Sequence, residues 1–321
     1  MPATSSPYPL RTSPPESVAL APLSAAPLVS IIVPSFNQGR FLRATIDSIL
    51  AQDYRPLKIH VVDGASRDES IDVLLSYGSI PELVWVSERD SGVVEAVNKG
   101  FAQAEGEILG IQSSDDTYLP GAIGQAVRQL QAAPAVGLVY GDTVKIDADG
   151  NELQRSPVGP FSVEKFLLLK TWIPQPSAFF RRQMLEVVGG WDERVPYAAD
   201  TDLWFRLMFR THVLKVDEFW SQRRIHDAQR DTQVAKIVRD YTGMLSQSPD
   251  LATAAPEIQR AAKASAHLFQ VRYNPGNSQW RAAWHVYQAG RYVPAVRNWT
   301  QIFNHLFHWP ARNFYRRLRG R

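Results

Sequence analysis

Short apolar runs alternate with helical segments between residues 29 and 111, and this alternation constrains the fold more than any other feature. Four strands, each rich in Val, Ile or Leu, are predicted at 29–33, 59–62, 83–86 and 108–111. Amphipathic helices are predicted between them, around 41–50, 71–75 and 93–104. Strands that alternate with helices form a mainly parallel sheet with right-handed crossovers. We therefore expect an α/β fold.

Polar and acidic residues follow each predicted strand directly. They occupy positions 34–37, 63–66, 88–90 and 113–116. In parallel α/β sheets the carboxyl ends of the strands meet at one edge, and ligands bind in the crevice outside that edge. Asn, Asp, Ser and Gly are also common in turns and helix caps, which is the alternative for any one of them. Four such groups at one edge indicate a binding site.

Two adjacent carboxylates, Asp115 and Asp116, are the sharpest feature of that edge. Neighbouring carboxylates repel each other unless a cation lies between them and their ligands. A hard divalent cation such as Mg²⁺ or Mn²⁺ prefers oxygen ligands and could bridge the two phosphates of a nucleotide diphosphate. The sequence contains no cysteine, so thiolate metal sites, disulfides and cysteine nucleophiles are excluded. A turn followed by a helix cap is the alternative interpretation of the pair.

Four blocks of sequence carry a resemblance to a known family. They are VSIIVPSFNQGRFLRATIDSILAQDY, VVDGASRD, SERDSGVVEAVNKG and SSDD. Their order and spacing resemble those of the family-two glycosyltransferases, and the similarity covers residues 28–229. The resemblance implies a GT-A fold, which is a Rossmann-like α/β fold with a mixed, mainly parallel central sheet. It also implies an inverting, hexosyltransferase-type enzyme that moves a sugar from a nucleotide-diphosphate sugar, most simply a UDP-sugar, to an acceptor hydroxyl.

The resemblance assigns the donor site to residues that follow the strands. It implies a nucleotide pocket lined by Pro34, Ser35, Phe36 and Asn37. Asp63 would receive a hydrogen bond from the base, although many relatives carry a second Asp where this chain has Gly64. Asp90 and Asn98 fall in a segment that resembles the nucleotide side of the family's site. A solvated helix cap is the alternative for Asp90.

The resemblance also divides the acidic pair, with Asp115 facing the ribose and Asp116 binding Mg²⁺ or Mn²⁺ directly. Here SSDD stands in place of a full DxD motif, so metal binding would depend on the donor's own phosphates. His226, in a segment that could close over the diphosphate, is a second candidate ligand. A lone histidine is more often a surface or packing residue, which is the alternative here.

Three segments of the second half, at 174–180, 189–192 and 199–207, are expected to form the acceptor site. The resemblance places the catalytic base at Asp200, where Ala199 replaces a Glu common in relatives, and Asp202 is the second choice. A carboxylate at a helix N-terminus is held ionised by the helix dipole. It could take the proton of the acceptor hydroxyl as that oxygen attacks the anomeric carbon. The alternative is that Asp200 serves as the N-cap of the helix.

Two other functional classes could use the same residues. Two carboxylates could serve a retaining glycosidase, but that interpretation leaves the nucleotide-binding features of the first half without a purpose. The other alternative is a non-catalytic protein of the same fold that binds a nucleotide sugar or interacts with a membrane surface. The presence of both Asp116 and Asp200 favours the enzyme.

Basic and aromatic residues dominate the C-terminal part of the chain. No Asp or Glu follows Glu257. The cations that follow it are Arg260, Lys263, Arg272, Arg281, Arg291, Arg297, Arg312, Arg316, Arg317, Arg319 and Arg321. Such a region could lie on an anionic membrane surface, or its aromatic residues could pack on the catalytic domain or on a partner subunit. Nucleic acid is not an expected partner, because no nucleic-acid-binding motif accompanies the charge.

These features predict three regions. We expect a flexible leader at 1–27, a glycosyltransferase domain at 28–235, and a helical C-terminal extension, basic and aromatic, at 236–321. Within the domain, 28–118 is the expected nucleotide-binding half and 119–235 the acceptor half. The expected setting is cytoplasmic, with a peripheral position at the inner face of the membrane as one option. There the enzyme would use a saccharide or lipid-linked acceptor in cell-envelope polysaccharide or glycolipid assembly.

Overall fold

The computed structural model of the protein describes residues 19–155, 157–227, 229, 232–273 and 278–296. Its described residues divide into two compact units. The first contains the chain up to Val158 together with Ile173–Gln229, and the second contains Gly159–Trp172 and the chain from Arg230 onward. The second unit therefore includes a short segment from the middle of the sequence, which the predicted division into consecutive regions does not contain.

Four parallel strands form one side of the sheet in the first unit. They are β1 (Val29–Ser35), β2 (Leu57–Asp63), β3 (Leu83–Ser87) and β4 (Ile108–Ile111), in the spatial order β3-β2-β1-β4. Every residue of β1 is buried, because β1 has a strand on each side and helices cover the sheet. A strand buried on both faces gives a continuous apolar run in sequence, which is why these strands were predictable.

The other side of the sheet is mixed. It contains β5 (Thr117–Tyr118), β6 (Val136–Ile146), β7 (Glu152–Arg155), β8 (Ala178–Arg181) and β9 (His212–Arg224). β8 runs antiparallel between β4 and β6, and β9 lies parallel to β6. β5 pairs antiparallel with the end of β9, so the loop after β4 lies beside that end. The predicted α/β fold with a mixed, mainly parallel sheet is confirmed.

Among the described residues of this unit there are six helices. They are α1 (Gly39–Leu50), α2 (Ser70–Ser76), α3 (Val93–Gln103), α4 (Ala122–Ala132), α6 (Gln183–Val188) and α7 (Ala199–Leu207). α1 buries Phe41, Leu42 and Ile46, as its apolar spacing predicts. α3 approaches β1 closely at Gly100, where an added Cβ would lie 2.4 Å from Ile32 Cγ2. That close contact requires glycine and holds α3 against the centre of the sheet.

The described part of the second unit is helical. It contains α5 (Val163–Leu167), α8 (Val234–Gln247), α9 (Pro249–Thr253), α10 (Pro256–Tyr273) and α11 (Gln279–Tyr292). Tyr241 of α8 stacks on Phe269 of α10 with ring centroids 3.7 Å apart, and its hydroxyl lies 2.7 Å from Ser265 Oγ. Within the described ranges, no helix combines the length and the apolar character needed to cross a bilayer.

The segment before β1 is tied to the first unit by hydrogen bonds. Ser24 N donates to Glu107 Oε2 over 2.9 Å, and Arg181 Nη1 donates to the carbonyl of Ala21 over 3.1 Å. Gln131 Nε2 donates to the carbonyl of Ser24 over 2.9 Å. The predicted flexible leader is therefore wrong for residues 19–27, whose backbone is held on the domain. The rest of that leader lies outside the described residues.

Candidate active site

The acidic loop after β4 lies beside His226, which is two residues beyond the end of β9. Asp115 Oδ2 lies 3.0 Å from His226 Nε2, and both side chains are largely shielded from solvent. These residues are 111 positions apart in sequence. The pairing of β5 with β9 brings them together. The structure therefore joins two predicted site residues into one carboxylate–imidazole pair at the carboxyl edge of the sheet.

Asp116 points into the protein and is anchored there. It is buried, its Oδ1 accepts a hydrogen bond from Arg224 N over 2.8 Å, and its carbonyl accepts one from Thr45 Oγ1 over 2.7 Å. Burial, together with the nearby charge of Asp115, raises the pKa of Asp116 well above its ordinary value. Asp116, which was predicted to bind the metal, is thus buried. Asp115, which was predicted to face the ribose, lies against the imidazole of His226.

Arg224 fixes the end of β9 from which His226 projects. Its Nε donates to the carbonyl of Asp115 over 2.9 Å, and its Nη1 donates to the carbonyl of Ala148 over 3.0 Å. The guanidinium also lies over the ring of Phe41, 4.9 Å from its centroid. That ring is 4.9 Å from the imidazole of His226, so the histidine packs as well as pairs. Arg224 therefore holds the pair in place, and sequence reasoning missed this role.

Asp63 at the end of β2 stabilises the turn that follows it. Its side chain has no exposure to solvent. Oδ2 accepts hydrogen bonds from Ser66 N over 2.9 Å and Ser87 Oγ over 2.7 Å, and Oδ1 accepts one from Ser66 Oγ. This is the turn-forming alternative rather than the expected contact with a base, because no part of the carboxylate is open to a ligand.

Phe36 and Asp90 both lie close to Gly64. A Cβ on Gly64 would lie 3.0 Å from Asp90 Oδ2 and 3.2 Å from Phe36 Cδ2. Phe36 is 59% exposed. Burial raises the pKa of Asp90, with the charge of Glu95 adding to it and the hydrogen bond from Gly92 N opposing it. A second Asp at position 64 would press a carboxylate against Asp90, which explains the glycine in physical terms.

The remaining residues of the predicted nucleotide pocket differ in exposure. Pro34 and Ser35 belong to β1 and are buried, whereas Asn37 is exposed. Asn37 has a positive φ of 51°, and its Oδ1 accepts a hydrogen bond from Arg67 N over 2.9 Å. Phe36 and Asn37 are therefore the two members of the set that can reach a ligand.

Asn98 links two parts of the backbone and is not exposed as the predicted contact to the nucleotide-sugar donor. It is buried on α3, and both atoms of its amide bind the backbone of Trp191. Nδ2 donates to the Trp191 carbonyl over 3.0 Å, and Oδ1 accepts from Trp191 N over 2.8 Å. Asn98 thus ties the helix of the nucleotide half to the loop that leads into α7.

Gln175 lies in the segment 174–180 predicted for the acceptor site, but its individual role, which is to hold the acidic loop, was not predicted. It lies in a single 3-10 turn, Gln175–Ser177, that enters β8. Its Nε2 donates to the carbonyl of Ile111 over 2.6 Å, and its Oε1 accepts a hydrogen bond from Ser113 Oγ over 3.2 Å. The prolines on either side of Gln175 were the available signal, since they favour a turn. Gln175 fixes the start of the acidic loop.

Asp200 belongs to helix α7, which precedes β9. α7 is nine residues long, or about 13 Å, and leads within a few residues into β9, whose first residue His212 pairs with Val136 at the amino end of β6. Asp200, the second residue of α7, accepts a hydrogen bond from Thr201 N at Oδ1 over 2.7 Å. The N-cap is Ala198, so the capping alternative for Asp200 is wrong.

Asp202, the second choice for the base, is instead a buried ion-pair partner. Its Oδ2 lies 2.8 Å from Arg206 Nη2. Arg206 also donates to the carbonyls of Val188 over 2.6 Å and Gly190 over 2.7 Å. Burial raises the pKa of Asp202 above its ordinary value, and the charge of Arg206 opposes that shift. The pair braces the loop before α7, so the structure gives Asp202 a structural role.

The spacing of the Asp115–His226 pair is suitable for two neighbouring ligands of a divalent cation. Neighbouring ligands in an octahedral shell with bonds of about 2.1 Å lie about 3 Å apart, which matches the separation of these two atoms. The described residues contain no group of three or more His, Asp or Glu side chains arranged to hold a metal ion. The protein would therefore supply two ligands, and the remaining positions would be filled by donor phosphates and water.

Comparison with solved structures shows the GT-A fold. S. aureus TarS, in complex with UDP-GlcNAc, superposes with a TM-score of 0.59 at 13% identity, covering 84% of this chain and 90% of that one. The mannosyltransferase PcManGT from Pyrobaculum calidifontis, in complex with GDP-Man and Mn²⁺, gives a TM-score of 0.57 at 23% identity. That alignment covers 92% of this chain and 90% of the mannosyltransferase.

Comparison with known sequences identifies the family. An uncharacterized glycosyltransferase of Rickettsia prowazekii is 30% identical over 69% of this chain and 71% of its own length. One of Mycobacterium tuberculosis is 35% identical over 57% of this chain and 70% of its own length. The sequence profile of glycosyl transferase family 2 matches residues 30–189. Together with the fold and the acidic carboxyl edge, these matches show that the chain belongs to glycosyltransferase family 2.

Proposed function

We propose that this protein transfers a sugar from a nucleoside diphosphate sugar to an acceptor hydroxyl, in one displacement that inverts the anomeric centre. The observation that carries the proposal is the Asp115–His226 pair at the carboxyl edge of the sheet. A cation on the leaving-group side and a base on the acceptor side are the two elements that such a displacement requires.

The cation side uses Asp115 and His226 as ligands for Mn²⁺ or Mg²⁺. A bound divalent cation would neutralise charge on the departing diphosphate. The metal role first predicted for Asp116 passes to Asp115, because Asp116 is buried and accepts a hydrogen bond from Arg224 N. The Mn²⁺ and GDP-Man bound by the mannosyltransferase support this assignment for a protein of the same fold.

The nucleoside side uses Phe36 and Asp90, which both lie close to Gly64. The exposed ring of Phe36 offers an apolar surface to a base or ribose, and Asp90 offers a carboxylate acceptor beside it. Asp63 and Asn98 then act as positioning residues, since their side chains are bound within the protein. UDP is the first nucleotide to test, and GDP is the second, because neighbours of this fold bind one or the other.

The acceptor side uses Asp200 as the base. A carboxylate in the first turn of a helix is stabilised in its ionised form by the helix dipole. It accepts the proton of the acceptor hydroxyl while that oxygen forms the new bond to the anomeric carbon and the bond to the diphosphate breaks. The proposed acceptor is a saccharide or a lipid-linked saccharide of the cell envelope, used on the cytoplasmic side of the membrane.

Calorimetric titration with UDP and with GDP, each with and without Mn²⁺, tests the donor site. We expect one nucleotide to bind more tightly with Mn²⁺, and we expect His226→Ala to lose that gain. His212→Ala is the matched control, because His212 is an exposed histidine at the opposite end of the same strand. Equal loss in both variants, or no binding of either nucleotide, contradicts the proposed site. Nucleotide binding without release of UDP or GDP from any donor would favour the non-catalytic alternative.

A further inference from the structure

Helix α11 carries its large aromatic residues on the outside and its small residues on the inside. Trp280 is 73% exposed, Trp284 52% and Tyr287 43%. The buried positions of the same helix are Ala282, Ala283, Val286, Ala289 and Gly290. A helix that only packed on its own unit would bury its tryptophans, since they have the most apolar surface to remove from water. The exposed face therefore indicates a partner.

The exposed residues form one continuous stripe. Trp280, Trp284, Tyr287 and Arg291 are spaced by four, three and four positions. At about 100° per residue they fall within about 60° of one another around the helix axis. Trp284 is also anchored, with its ring 5.5 Å from that of His267 on α10. The stripe is thus a defined surface on a packed helix.

The charged residues of α11, and those of α10 after Glu257, are all basic. Lys263, Arg281 and Arg291 are exposed on α10 and α11, and no acidic residue occurs in the sequence after Glu257. The sequence beyond α11 adds further arginines and aromatic residues of the same kind. A second copy of this surface, or the chain's own C-terminal sequence, would bring like charges together. The complementary partner is anionic.

We propose that the outward face of α11, formed by Trp280, Trp284 and Tyr287 with Arg281 and Arg291, binds an anionic lipid surface. Indole and phenol rings combine an apolar body with a polar tip, which suits the boundary between lipid headgroups and acyl chains. Arginines beside them bind lipid phosphates. A lipid interface offers an apolar layer and a negative layer at once, and the stripe presents both matching features on one helix face.

Vesicle sedimentation of the full chain tests the proposal without using the sugar donor. We expect binding to vesicles of phosphatidylcholine with phosphatidylserine and little binding to phosphatidylcholine alone. The double variant Trp280→Ala/Trp284→Ala should reduce partitioning at least about ten-fold. Leu75→Ala, which removes an exposed apolar side chain from α2, is the matched control and should leave partitioning unchanged.

Charge variants give a second measurement. Arg281→Gln and Arg291→Gln should each weaken binding to the anionic vesicles about five-fold, from about 1 kcal/mol per basic residue near such a surface. No vesicle binding, equal binding to neutral vesicles, or undiminished binding by the double tryptophan variant overturns the proposal. A concentration-dependent dimer or retention of RNA that the double variant abolishes, without vesicle binding, likewise overturns it. UDP titration of the same variants separates this surface from the donor site.

Discussion

The two acidic motifs of the first unit, Asp115–Asp116 and Asp200–Asp202, divide their roles in the same way. In each, one carboxylate is buried and bound by an arginine residue: Asp116 by the backbone of Arg224, and Asp202 by the side chain of Arg206. The other member, Asp115 or Asp200, is less buried. A sequence motif thus identifies each pair. Burial separates the anchor, which is Asp116 or Asp202, from the carboxylate proposed as the reactive group, which is Asp115 or Asp200.

The two anchors, Asp116 and Asp202, differ in the groups that they bind. Asp116 binds a backbone N–H, so a neutral amide could replace its carboxylate at that contact. Asp202 faces a guanidinium that also binds the carbonyls of Val188 and Gly190, so removing the carboxylate leaves a buried cation. The comparison therefore predicts unequal consequences for four substitutions.

The largest expected effect is on turnover in Asp200→Asn. Loss of a general base should lower kcat by about 10²- to 10⁴-fold, while the affinity for UDP with Mn²⁺ stays unchanged. Release of nucleotide from the preferred donor is the measurement. Glu193→Gln, an exposed acid in the loop before α7, is the control and should retain activity. Near-normal kcat in Asp200→Asn would remove Asp200 from the base role.

The second prediction compares Asp115→Ala with Asp116→Asn. Asp115→Ala should lose the gain in UDP affinity that Mn²⁺ provides, by at least about ten-fold, because it removes one of the two proposed ligands. Asp116→Asn keeps an oxygen that accepts from Arg224 N and should retain most of that gain. Calorimetry with and without Mn²⁺ decides between them. The reverse result would restore the first prediction, in which Asp116 binds the metal.

The third prediction concerns stability. Asp202→Ala should lower the free energy of unfolding by about 3 kcal/mol, since it breaks a buried ion pair and leaves Arg206 uncompensated. Urea unfolding measures the change. Asp200→Asn serves as the comparison and should shift stability by no more than about 0.5 kcal/mol. Equal losses in the two variants would contradict the division between anchor and reactive group.

The smallest expected effect is a pH dependence at Asp202. Burial raises the pKa of Asp202 in the folded protein above its ordinary value of 3.8, so the folded state retains this proton to higher pH than the unfolded state. The stability that this group contributes therefore falls as pH rises from about 3.8 through the folded pKa. The gap in unfolding free energy between the native protein and Asp202→Asn should narrow over that range. A difference in unfolding free energy that increases with pH would instead show that the ion pair with Arg206 outweighs the effect of burial on the pKa of Asp202.

The first half of the fold was predictable because its signals are local. Buried parallel strands give apolar runs, and helices on a sheet give a 3.6-residue spacing, so β1 to β4 and α1 to α3 lie within two residues of their predicted bounds. Charge and turn residues at the strand ends likewise marked the edge at which Asp115 and His226 meet. These features depend on neighbours in sequence, which a single sequence displays directly.

The parts that escaped prediction depend on contacts between distant residues. The amide of Asn98 binds the backbone 93 positions away, and Gln175 reaches Ile111 across 64 positions. The burial of Asp63 depends in part on Ser87 from the next strand. No spacing or composition reports such contacts, so residue types pointed to these loops but could not predict which groups the individual side chains bind.

The separation of Asp115 from His226 has a consequence during synthesis. A nascent chain that has left the ribosome only as far as β6 contains the acidic loop but lacks β9 and the histidine. The carboxylate–imidazole pair closes only after residue 226 emerges and β9 is laid down beside β6 and β5. The nucleotide half made alone, as a gene fragment or a stalled translation product, would therefore lack this carboxylate–imidazole pair even with all four of its parallel strands in place.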